Sequence, residues 1–154
     1  MGFYQFKREQ IIESSIDEVW DFIQNPKNLK IITPDYMGFD IISDNTPDKM
    51  YEGLIISYKV SPILNIKTTW VTEITHLKEK EYFVDEQRIG PYKIWHHQHI
   101  IKPSENGVLM NDIVSYQPPF GILGNIANSL FIEKKLNEIF NYRTKALEKF
   151  FQNL

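Results

Sequence analysis

The sequence predicts an α+β fold: one curved antiparallel sheet wrapped around a long C-terminal helix, two short helices near the N-terminus, and an internal cavity. Three observations predict it. From about residue 38 to 117 the chain reads as one strand after another, with turn signals between them. Over residues 122–151 the period changes, and Ile132, Leu136, Ile139, Phe140, Arg143, Leu147 and Phe150 fall near one helical stripe. Between the first strand and the sheet lies "SSIDEVWDFIQNP", a helix start followed by a stop. Thirty helical residues span about 45 Å, enough for a sheet to curl around. A single helix does not fill a sheet of that size, so a cavity between the two is expected.

Each element has its own signal. Residues 3–12 form the first strand. Ser15 and Glu18 have capping-box spacing, in which each side chain satisfies a free backbone N–H at a helix start. Val19, Trp20 and Ile23 then follow at helical spacing. "PKNLKIITP" is a second short helical piece, stopped before Pro34 because the residue before a proline avoids the helical region. The strands are 38–43, 51–60, 66–76, 81–89, 93–102 and 107–117. Their breaks are "SDNTPDK", "SPILN", "LKEK", "GPY" and "PSEN", and "QPPFG" closes the sheet.

The chain has 154 residues, which fits one domain over 1–154 and is long enough to bury a core without staples. There is no cysteine, which excludes disulfides, zinc–thiolate sites, iron–sulfur clusters and thiol nucleophiles. A net charge of −3 without a basic block argues against a nucleic-acid partner. "MGFYQFKREQ" lacks the apolar core of a signal peptide, and Phe6 stands where a myristoylation motif needs Ser or Thr. No apolar run approaches a membrane span of about 20 residues. A cytoplasmic location is expected.

"GPYKIWHHQHII", residues 90–101, holds three of the chain's four histidines. Turn residues set a register that locates them. A three-residue "GPY" loop places Asp85 opposite His97 and Phe83 opposite His99. A four-residue loop at 103–106 places His97 opposite Asp112, His99 opposite Met110 and Trp95 opposite Val114. A four-residue loop at 77–80 places Thr72 opposite Asp85 and Trp70 opposite Gln87. The result is a row Thr72–Asp85–His97–Asp112 on one face, flanked by Trp70, Gln87, Trp95, Ile74, Phe83, His99 and Met110. Glu73, Glu86, Arg88, Gln98 and Asn111 take the other face, which suits water, and His96 points the same way. An imidazole between two carboxylates is expected to be largely protonated. A buried polar network holding the sheet and a polar floor for a ligand both fit this row. His-x-His with Asp85 or Asp112 also has the form of a two-His, one-carboxylate metal set. Two carboxylates already compete for His97 and no further inward ligand is evident, so neither a metal nor another cofactor is expected.

The Trp-x-Thr-x-Ile strand at Trp70–Ile74, the Asp-x-Gln-x-x-Gly-Pro hairpin at Asp85–Pro91 and the Trp-x-His-x-His strand at Trp95–His99 resemble a bacterial ligand-binding branch of the START/Bet v 1-like superfamily, also called SRPBCC or polyketide cyclase-like. "NPKNLKIITP" and "IFNYRTKALEKFF" extend the resemblance over nearly the whole chain. It implies a helix-grip fold with a hydrophobic cavity. It does not imply one activity, because the superfamily includes lipid and sterol carriers, hormone receptors, aromatase/cyclases and the catalytic domains of Rieske oxygenases. The last need a cysteine-bearing iron–sulfur module, which this chain lacks.

Three functions follow. The first is binding of a small hydrophobic or amphipathic molecule, a lipid, polyketide-like or aromatic metabolite. Trp70, Phe83, Trp95, Met110 and Tyr116 supply apolar walls, and Thr72, Asp85, Gln87, His97, His99 and Asp112 a polar floor. The second is a cyclase- or dehydratase-type enzyme using His97 with Asp85 or Asp112 as acid–base group. No nucleophile motif or phosphate-binding loop supports it. The third is a non-catalytic protein-interaction module.

Overall fold

In a computed structural model that describes residues 2–61, 66–119 and 131–153, the fold is the expected helix grip. The strands are β1 (Tyr4–Ile12), β2 (Asp40–Ile41), β3 (Ile55–Val60), β4 (Thr68–Lys78), β5 (Tyr82–Ile89), β6 (Ile94–Ser104) and β7 (Gly107–Gln117). Helix α1 (Ile16–Ile23) follows β1, and helix α2 (Glu133–Phe151) closes the chain. The strands form one antiparallel sheet in the order β1-β7-β6-β5-β4-β3-β2.

The capping box forms as expected: Ser15 Oγ accepts from the Glu18 N–H, and Glu18 Oε2 accepts from the Ser15 N–H at 3.0 Å. "PKNLK" makes a 3₁₀ turn over Pro26–Lys30. Pro34 does not end helical structure altogether, since a second 3₁₀ turn runs over Asp35–Met37 and stops at Gly38 in the left-handed region. Two strands are shorter than expected: β2 has two residues, and a turn in which Leu54 N–H bonds Tyr51 O delays β3 to Ile55. Of the expected helix 122–151, the part before residue 131 lies outside the described residues, as do most of "SPILN" and the end of "QPPFG".

On α2 the buried positions are Leu136, Phe140, Arg143, Leu147 and Phe151, a three-to-four-residue spacing along one face. Phe151, not Phe150, completes the stripe. The helix joins two apolar clusters. One contains Leu147 and Phe151 with Trp20, Phe22, Ile74 and Phe83. The other contains Leu136 and Phe140 with Phe6, Trp70, Val114 and Tyr116. Arg143 stands between them. Among the described residues no helix is long and apolar enough to cross a membrane.

Two registers differ from expectation. Strand β6 continues through Pro103 and Ser104, so the β6–β7 turn has two residues and pairs His97 with Val114 and His99 with Asp112. Proline is tolerated there because the β5 ladder has already ended at Tyr82–Ile100. The β4–β5 hairpin has a three-residue loop with Lys80 at φ 60, and irregularities after Val71 and Ile74. Thr72 therefore faces Gln87, and Ile74 faces Asp85. Asp85–His97 and Phe83–His99 pair as expected.

The tight turn depends on Gly107, at φ +121, where an added Cβ meets Ile12 O at 2.2 Å. We predict that Gly107→Ala costs about 2–4 kcal/mol, the strain of a forbidden φ plus displacement of β1. A urea titration showing a loss under about 1 kcal/mol, the low end for one strained residue, would sink this account of the turn.

Candidate functional site

The cavity opens between the inner face of the sheet and α2, with a volume of about 160 Å³. A buried cavity of about 150 Å³ accommodates benzene. Its walls include Trp70, Phe83, Trp95 and Met110 from the sheet, Leu136 and Phe140 from α2, and Phe22, Leu29 and Ile32 from the N-terminal helical segments. Thr72, Asp85, His97, His99 and Arg143 supply the polar part.

Alternation along β5, β6 and β7 puts Asp85, His97, His99 and Asp112 on the inner face. Both register corrections near them are shifts of two residues, so face is preserved while cross-strand partners change. A compact cluster replaces the expected straight row. His97 Nε2 donates to Asp112 Oδ1 at 2.8 Å, and His99 Nε2 donates to Asp85 Oδ2 at 2.7 Å. His99 Nδ1 lies 3.1 Å from Asp112 Oδ1. His97 Nδ1 lies 3.6 Å from Asp85 Oδ2, beyond hydrogen-bond distance. Thr72 Oγ1 reaches Asp85 Oδ1 diagonally at 3.4 Å. The imidazoles lie with centroids 3.7 Å apart and their planes tilted by 35°, and His99 stacks on Phe83 at 4.1 Å.

The charge distribution differs from the expected one. Burial and the neighbouring His99 charge push the His97 pKa down despite Asp112 and Asp85. Burial also opposes charge on His99, but its contacts to Asp112 and Asp85 outweigh it and raise the pKa. Of the two histidines, His99 is the one whose surroundings favour the charged form, because it touches both carboxylates closely. Burial pushes both carboxyls up. The hydrogen bond from His99 and the charges of His97, His99 and Arg143 hold Asp85 below its ordinary value. Those from His97 and His99 do the same for Asp112. His99 and the Arg143 guanidinium are the groups that face the two carboxylates.

A pH prediction follows. Carboxyls with depressed pKa contribute stability above the unfolded value of about 4, lost as pH falls toward the folded values. His99, raised, contributes below about pH 6.5 and loses that contribution as pH rises through its folded pKa. His97, lowered, has the opposite sign. The histidine contributions oppose each other, so the melting temperature should change little between about pH 6 and 8 and fall steeply below about pH 4. A steep fall beginning near pH 6.5 would show instead that charging His97 dominates.

Three expected site residues stand elsewhere. Gln87 is committed to its own hairpin: its Nε2 donates to Tyr92 O at 2.6 Å, and its Oε1 accepts from Tyr92 N–H at 3.2 Å. The side chain folds over Gly90, where a Cβ would lie 2.3 Å from Oε1. Tyr116 is buried against Tyr4, Tyr92 and Trp95. Asp112 sits behind the histidines. On the outer face His96 bonds Glu86 at 2.8 Å, and Arg88 pairs with Glu73.

Arg143 and Tyr58 were missed as site residues; both line the cavity. Arg143 is 9% exposed, its Nη1 lies 3.9 Å from Asp112 Oδ1, and its guanidinium covers the Phe140 ring at 4.7 Å. Its Nε and Nη1, and Trp70 Nε1, are buried without a hydrogen-bond partner among the described residues. The signal for Arg143 was present: a cation in an otherwise apolar helical stripe.

No protein-family model matches the sequence, and no curated relative matches it. Solved structures match the fold over nearly the full length. TTHA0849 from Thermus thermophilus is 15% identical with a TM-score of 0.70, over 97% of this chain and 98% of that one. Ara h 8.0201 is 10% identical with a TM-score of 0.66, over 99% and 100%. Major latex-like protein 151 from Panax ginseng is 11% identical with a TM-score of 0.66, over 96% of each chain. The chain thus shares the helix-grip fold of these structures.

Proposed function

We propose that the cavity binds a small hydrophobic or amphipathic molecule whose apolar part packs on Trp70, Trp95, Phe83 and Phe140 and whose polar end meets Arg143 and the Asp85–His99 pair. The observation that carries this reading is the unpartnered donor set. Buried N–H groups without acceptors cost about 1–3 kcal/mol each, and Arg143 Nε, Arg143 Nη1 and Trp70 Nε1, on two residues that line the cavity, have no hydrogen-bond partner among the described residues. A ligand with a carboxylate, carbonyl or phenolate oxygen supplies what they lack.

Native and denaturing mass spectrometry of the purified protein tests this, since a bound host molecule would appear as an added mass lost on unfolding. Arg143→Met keeps the volume of the stem and removes the donors; it should cut occupancy at least tenfold, with a smaller stability loss than Asp112→Ala, because Arg143 approaches the carboxylate only to 3.9 Å. In His97→Phe, a small stability loss with a large loss of occupancy supports a ligand floor. A large stability loss with unchanged occupancy supports a purely structural network. The acid–base alternative has one supporting observation, the His97 Nδ1 beyond hydrogen-bond distance from Asp85. Conversion of a bound molecule by wild type but not by His97→Phe would select it.

A further inference from the structure

Asp85, His97 and His99 each offer one donor atom, and the three atoms lie within 4.8 Å of one another. We propose that Asp85 Oδ2, His97 Nδ1 and His99 Nε2 form a three-donor site for a divalent transition-metal ion such as zinc on the cavity floor, with Asp112 orienting both imidazoles from behind.

The tautomers carry the argument. A metal-binding histidine uses one ring nitrogen and commonly gives the other N–H to a carboxylate, which fixes the ring and raises its basicity. Here a single oxygen, Asp112 Oδ1, sits 2.8 Å from His97 Nε2 and 3.1 Å from His99 Nδ1. The remaining nitrogens are His97 Nδ1 and His99 Nε2, and both turn toward Asp85 Oδ2, at 3.6 and 2.7 Å. Donors bound at about 2.0–2.1 Å in a tetrahedral site stand roughly 3.3 Å apart; the two edges to Asp85 bracket this value, and the edge between the imidazole nitrogens is at most 4.8 Å. Competition between carboxylates for His97, which argued against a metal in the sequence, is resolved by division of labour: Asp112 takes the outer nitrogens and Asp85 faces the inner ones.

His97, His99 and Asp112 are at most 7% exposed, so this is a built pocket, not a surface cluster. Arg143 Nη1 lies 3.9 Å from the same Asp112 oxygen. Three protein ligands leave a coordination position facing the cavity, the form of a site that takes water or a ligand oxygen. A two-imidazole, one-carboxylate set suits zinc, cobalt, nickel or iron better than calcium or magnesium.

The test is a titration of chelator-treated full-length protein with cobalt(II) alone, followed by calorimetry and visible absorption. One equivalent should bind. His99→Gln and Asp85→Asn should abolish stoichiometric uptake, and Asp112→Asn should weaken it by about 10–100-fold. His96→Gln and His76→Gln, on the outer face and at an exposed strand position, should leave it unchanged. If an inner variant does not fold, proton NMR of the cobalt-loaded wild type decides: two paramagnetically shifted, slowly exchanging imidazole N–H signals are expected, from His97 Nε2 and His99 Nδ1. No uptake by folded wild type, uptake that survives His99→Gln, or cobalt-loaded protein without those signals overturns the proposal. The titration reads metal alone, so it succeeds or fails independently of any organic ligand.

Discussion

Asp112→Ala should destabilise the protein by about 3–5 kcal/mol, the cost of removing one member of a buried ion cluster. The carboxylate is 4% exposed and faces His97, His99 and Arg143. Its loss leaves the His97 N–H without its acceptor and the Arg143 cation without its counter-ion, all in low dielectric. Asp112→Asn should lose less, because the amide oxygen still accepts one N–H, although the charge balance is gone. Chemical denaturation of both variants at neutral pH measures the difference. Equal losses would mean that the charge matters and the hydrogen bond does not. A loss below about 1 kcal/mol, the scale of an exposed pair, would mean that water reaches the cluster and hydrates the exposed groups.

Trp20→Ala should also cost about 3–5 kcal/mol. Trp20 is 1% exposed, packs edge-on to Phe83 at 6.5 Å, and lies in the cluster formed by α1, the sheet and the end of α2. Trp95→Ala removes the same number of atoms from the cavity wall. It should cost less, because part of the Trp95 surface faces open space and forfeits fewer contacts. Occupancy should show the reverse order: Trp95→Ala should strip the cavity of a bound molecule, and Trp20→Ala should not. Thermal melting and mass spectrometry on the same preparations check both halves. If Trp95→Ala were the more destabilising of the two, the cavity wall would be tightly packed core and the ligand reading would lose its support.

The fold was legible because its signals are local. A capping box, a switch from two-residue to helical period, and turn residues at regular intervals do not depend on distant contacts. The same holds for the inner face of the sheet, since alternation along a strand decides face. Register was less legible. "LKEK" contains no glycine, and Lys80 takes the left-handed position that a glycine would have marked. Pro103 read as a strand end, yet it pairs with Val108, because the strand that would need its N–H has stopped.

By itself the sequence determined which residues share the cavity side of the sheet, because an error of two residues in register leaves every side chain on its face. It also determined that a cation lies on the apolar side of the last helix. Only the tertiary structure decided which partners those groups meet. The two-residue offset brought Asp112 opposite His99 instead of His97, and the helix lowered Arg143 onto the same carboxylate. That decision also changed which histidine the carboxylates favour in its charged form. A histidine's charge depends on distances of a few tenths of an ångström to two carboxylates on other strands, and no pattern along the chain encodes such distances.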